Sequence, residues 1–119
     1  MALEEEFVRL PADIARFNED YAQAVNELLR AKRHEERTYA RVYLEEREKL
    51  GKRTEATVKA NVELHDDIEQ AVMQRIMAEV EKTRLRGVVE ALSAKRDSLI
   101  SIGAALRDER RGPPVIRED

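Results

Sequence analysis

The chain has 119 residues, 39% of them charged and 4% aromatic, with a formal net charge of −3 and no cysteine. Lack of cysteine excludes disulfide staples, thiol catalysis and zinc–thiolate sites, and the slightly acidic balance excludes a generally basic nucleic-acid coat, so any anion-binding surface has to be local. Few glycines and prolines beside so many charges mark long exposed helices rather than a thick globular core.

The first residues, with Glu4, Glu5 and Glu6, lack the positive-then-apolar order of a signal peptide. Pro11 suits the first turn of a helix, where its missing N–H costs nothing, and nothing interrupts helical spacing from there to about Leu50. Along this segment Ile14, Phe17, Tyr21, Val25, Leu28, Tyr39, Val42 and Leu50 gather on one side. Arg30, Arg33, His34, Arg37 and Arg41 gather on another, away from the apolar face. Gly51 is a natural stop, with Lys49, Lys52 and Arg53 complementing the negative end of the helix dipole. Thr54 reads as the N-cap of a short helix over 55–63. Asp66 or Asp67 begins another, with Asp66 and Glu69 resembling a capping box, and this final helix is expected from Asp67 to about Arg111. Gly112-Pro113-Pro114 closes it, giving a helical domain over 1–111 and a mobile tail over 112–119.

The last helix carries a bulky stripe, Val88, Leu92, Leu99, Ile102 and Leu106, beside a small one, Gly87, Ala91, Ala94, Ser98, Ser101 and Ala105. Small residues in line allow close helix approach, and Phe17, Tyr21 and Leu28 are their complement in an antiparallel hairpin reversing between Leu50 and Thr54. The expected fold is therefore all-α: two long helices joined by a turn and a short helix. A two-helix unit buries little surface, so self-association is expected through Ala94, Ser98, Leu99, Ile102, Ala105 and Leu106. The longest uncharged run, Ser98 to Leu106, is far shorter than the ~20 residues of a membrane span. A soluble, cytoplasmic protein is expected.

Charge alternates in blocks: acidic over 1–29, basic over 30–53, acidic over 54–81 and basic over 82–111. Folding back at Gly51 sets each acidic block against a basic one. Two readings of the basic stripe follow. It either seats a polyanion on Arg30, Arg33, Arg37 and Arg41, helped by Lys52 and Arg53, or only fixes the register of helix pairing.

Catalytic signals are poor. His34 and His65 lack the paired spacing of helical metal motifs, and no Gly-rich phosphate loop exists. Glu45-x-x-Glu48 and Glu63-x-x-Asp66 reproduce the paired acids of all-α nucleoside triphosphate pyrophosphohydrolases. In a tight hairpin, however, they sit offset by roughly 13 Å along the axis. No enzyme and no cofactor is expected.

Tyr39-Ala40-Arg41-Val42-Tyr43, followed shortly by Gly51, is similar to the basic Lys-Ala-Arg-Leu stretch of the UvsY family of phage recombination mediators. Val62 to Asp66 and Lys95 to Ile102 stand where that family has a Val/Ile-x-x-x-Asp restart and an Ile-rich late helix. The resemblance spans roughly residues 25–110. Tyr39 stands at the family's first basic position, and Glu45 to Leu50 replace its aromatic pair, so the carry-over reaches Arg41 and not position 39. The resemblance implies an oligomeric helical ring, in the host cytoplasm if the chain is phage-encoded. Such a ring binds single-stranded DNA and helps load a RecA-type recombinase onto strands covered by a single-strand-binding protein. The competing class is a non-catalytic helical oligomerisation or scaffolding module of a phage or bacterium.

Overall fold

The computed structural model describes residues 3–111. Three helices make up nearly all of them: α1 (Leu3–Leu50), α2 (Glu55–Glu63) and α3 (Asp66–Arg111). The fold is all-α, with no strand among the described residues. No helix there is long and apolar enough to cross a membrane. The Gly-Pro-Pro stop and the tail expected over 112–119 lie outside the described residues.

The buried side of α1 keeps alternating three- and four-residue steps: Leu10, Ile14, Phe17, Tyr21, Ala24, Leu28, Ala31, Glu35, Thr38 and Val42 are each buried or half-buried. In α3 the same rhythm runs through Ile68, Ala71, Arg75, Ala78, Lys82, Leu85, Val89 and Leu92. Such a seam is the sequence basis of coiled-coil pairing. The chain divides into two compact units, Asp20–Arg86 and a second that joins α1 up to Glu19 with α3 from Gly87 onward.

In the unit Asp20–Arg86, Val42, Val58, Val62 and Ile68 form one apolar cluster, with Tyr43, Leu50 and Val72 against it. α1 ends as predicted: Gly51 has φ +62°, the left-handed region that glycine enters without strain, and its N–H donates to the Arg47 carbonyl at 3.1 Å. Thr54 caps α2, its Oγ1 accepting from the Thr57 N–H at 3.4 Å. The bounds of α2 match the sequence reading, and its Val58 and Val62 are fully buried.

The start of α3 differs. Asp66 already lies inside the helix, so it cannot cap it. His65 caps instead: its Nδ1 accepts from the Asp67 N–H at 3.0 Å, and its carbonyl accepts from the Ile68 and Glu69 N–H groups at 3.1 Å. An accepting Nδ1 requires the ring proton on Nε2. His65→Ala is expected to lower stability by about 1 kcal/mol and His65→Ser by only a few tenths, read from urea unfolding midpoints. Equal loss in both variants would count against the cap.

α1 and α3 also touch through polar groups in this unit. Glu35 pairs with Arg75 Nε inside the seam, and Arg41 Nη2 meets Asp67 Oδ2 at 2.9 Å. As α1 advances from Glu35 to Arg41, its partners on α3 run back from Arg75 to Asp67. Arg41–Asp67 follows the alternation of charge blocks, whereas Glu35–Arg75 reverses it, an acid of the basic block holding a base of the acidic one.

In the second unit Leu10, Ile14 and Leu99 form the core, with Leu92 beside them. Glu6 Oε2 meets Lys95 Nζ at 3.2 Å. These contacts account for a departure at the N-terminus: α1 begins at Leu3, and Pro11 lies inside it rather than in its first turn. An interior proline costs about 3 kcal/mol through the lost backbone bond and ring crowding. Burial of Leu10 and Ile14 on both sides of it, with Glu4, Glu5 and Glu6 at the positive end of the dipole, offsets that cost.

The small stripe of α3 does not pack inward as expected. Gly87, Ala91, Ala94, Ser98, Ser101 and Ala105 are all exposed, and a Cβ added at Gly87 would meet nothing within 4 Å. The face turned inward is the bulky one, through Leu92 and Leu99, because larger side chains lose more apolar area to water when left outside.

Candidate nucleic-acid interface

Arg30, Arg33 and Arg37 occupy successive turns of α1 in the unit Asp20–Arg86, and all three are exposed. Their Cα atoms span about 11 Å along the helix, at 1.5 Å per residue. Among the described residues none of the three lies within ion-pair distance of a carboxylate, unlike Arg41, Arg47, Arg75 and Arg84. A guanidinium without a protein partner offers its full fork of N–H donors to a phosphate. His34, on the same side and exposed, has Nε2 3.5 Å from Thr38 Oγ1.

Arg41 departs from expectation. Helical phase sets it away from the helix interface, yet it bridges Glu45 Oε1 at 3.0 Å and Asp67 Oδ2 at 2.9 Å. Its position next to the buried Val42 brings it nearer the seam than the other three, within reach of α3. Hydrogen bonds first to Asp67, then to Glu45, raise its pKa, and the same bond holds the Asp67 carboxyl below its ordinary value. A depressed carboxylate stabilises above its unfolded pKa of about 4 and loses that contribution as pH falls through the folded value. Both side chains are about half exposed, so the effect is small and screened by salt. Asp67→Asn is expected to flatten the acid arm of the stability-against-pH curve and to leave its shape above neutrality unchanged.

Lys52 and Arg53 are exposed on the turn after α1. The Arg53 carbonyl is tied down by Arg47 Nη1 at 2.9 Å, which leaves the Arg53 side chain outside the contact. The turn begins about 20 Å along α1 from Arg37, so the six expected residues do not form one cluster. Arg30, Arg33 and Arg37 form one group, Lys52 and Arg53 a second, and Arg41 belongs to the fold.

Tyr39 and Tyr43 stack on each other, with centroids 6.5 Å apart and planes 16° from parallel. The Tyr43 hydroxyl donates to Glu55 at 2.6 Å, a bond that raises the phenol pKa. At 100° per residue Tyr39 lies across α1 from Arg37. Tyr39 therefore offers no stacking platform beside the arginines.

Of the residues expected in self-association, Ala94, Ser98, Ile102, Ala105 and Leu106 are exposed. Leu99 is not: it is covered by α1 of its own chain, packed with Leu10 and Ile14. No group of three or more His, Asp or Glu side chains among the described residues could hold a metal ion. Glu45 faces Arg41 rather than a second carboxylate. Sequence reasoning missed the Glu35–Arg75 pair, although the three-four rhythm of α1 places Glu35 in the seam. It also missed the cap at His65, for which no sequence signal exists beyond its position.

Comparison with protein-family models, curated proteins and solved structures finds no match to this chain.

Proposed function

We propose that the chain is a non-catalytic, single-stranded DNA-binding recombination mediator: an antiparallel helical hairpin that self-associates through α3 and helps load a RecA-type recombinase onto strands covered by a single-strand-binding protein. The observation that carries the binding part is the row of three exposed guanidinium groups on α1 that have no carboxylate partner among the described residues, whereas Arg41, Arg47 and Arg75 are each paired within the chain. Lys52 and Arg53 extend the basic surface at the turn. The recombinase and single-strand-binding partners rest on the UvsY resemblance over roughly residues 25–110. One chain supplies about three phosphate contacts, a weak site with a modest salt slope. Repetition of the row in an oligomer turns weak contacts into firm but releasable holding of a flexible strand, because linked sites bind at high effective concentration.

A second reading, a helical oligomerisation or scaffolding module of a phage or bacterium, is favoured by the amount of apolar surface that α3 leaves exposed. Titration of a labelled single-stranded oligonucleotide at low and moderate salt separates the two. The mediator reading predicts nearly sequence-independent binding that weakens steeply with salt. Absence of binding at low salt leaves the scaffolding reading alone.

A further inference from the structure

On the outer side of α3, within the unit Asp20–Arg86, Met73, Ile76, Met77 and Val80 are exposed by 55, 43, 66 and 63%. Steps of three, one and three residues make them one stripe, turned away from the seam residues Ala71, Arg75 and Ala78. A monomer rarely leaves a contiguous bulky apolar stripe in water, and methionine is the side chain most adaptable to a partner surface.

We propose that this stripe is a two-fold contact between two copies of the chain, α3 lying antiparallel on α3 with the axis between Ile76 and Met77. The charges at its ends choose both partner and direction. Glu69 stands four residues before Met73, and Arg84 four residues after Val80. About an axis between 76 and 77 these positions are mirror images. An antiparallel copy sets Met73 on Val80, Ile76 on Met77 and Glu69 on Arg84, each twice, as an isologous interface requires. A parallel copy sets Glu69 on Glu69 and Arg84 on Arg84, which is repulsive. Arg84 is held by Glu81 through Nε at 3.0 Å and Nη2 at 2.6 Å, which leaves Nη1 for a second carboxylate. The contact is separate from the Ala94–Leu106 surface and from the arginine row of α1, so it stands or falls independently of DNA binding.

Because the chain has no cysteine, a single introduced thiol reports the geometry. Met77→Cys is expected to give a covalent dimer on mild oxidation. Glu69→Cys is not, since in the antiparallel pair the two thiols lie about 22 Å apart along the axis, beyond disulfide reach. In sedimentation, Glu69→Arg and Arg84→Glu are each expected to weaken association about ten-fold by like-charge opposition, and the double reversal to restore it. Circular dichroism checks that each variant keeps its helicity. Failure of Met77→Cys to cross-link, equal cross-linking at position 69, or a double reversal as weak as the single ones overturns the proposal.

Discussion

Alanine at Arg30, Arg33 and Arg37 together is expected to lower affinity for single-stranded DNA about a hundred-fold at low salt and to reduce the salt slope by about 2, the share of three phosphate contacts on a single strand. The loss should be the same for every oligonucleotide sequence, because phosphate contacts carry no base information. Thermal stability should move little, since none of the three guanidinium groups has a carboxylate partner among the described residues. Arg41→Ala is the contrasting variant. It removes the bridge to Glu45 and Asp67, so its effect should appear in unfolding rather than in binding. A triple variant that binds as tightly as the parent would remove the arginine row from the function.

The second large effect is in the core. Val58→Ala and Val62→Ala combined are expected to lower stability by about 3–4 kcal/mol. Four methyl groups leave a fully buried site at about 0.8 kcal/mol each, and a cavity penalty follows where α2 cannot settle inward. The urea midpoint should fall with little change in far-ultraviolet helicity below the transition. A loss under about 1 kcal/mol would mean that α2 rides on the surface instead of closing the cluster with Val42 and Ile68.

The parts of the fold legible in the sequence are those set by local chemistry. Gly51 stops α1 because the backbone there is left-handed, and Thr54 opens α2 because its hydroxyl reaches an N–H three residues on. Both depend on neighbours in the chain. Distant contacts set the parts that local chemistry does not. Pro11 follows the first-turn rule only if nothing beyond it favours helix, and Leu10 and Ile14 packing on Leu99, with Glu6 on Lys95, overrides that rule. On α3, periodicity finds two apolar stripes but does not say which turns inward, and the answer follows from the larger area of Leu92 and Leu99. Of the arginine row, helical phase correctly sets Arg30, Arg33 and Arg37 on the solvent side. It misses Arg41 because the partner that claims it, Asp67, comes from another helix.

The apolar cluster around α2 joins residues close in sequence, from Val42 to Ile68, whereas Leu10 and Leu99 meet across most of the chain. Closing a long loop costs more entropy than closing a short one, and contacts near in sequence form sooner. Nucleation is therefore expected around α2. Val42, Val58, Val62 and Ile68 are expected to collapse before Leu10 and Leu99 find each other. In the reverse direction the Leu10–Leu99 contact is expected to open before the cluster around α2. The basic row from Arg30 to Arg37 lies in the unit that holds that cluster, and so in the part expected to persist longest.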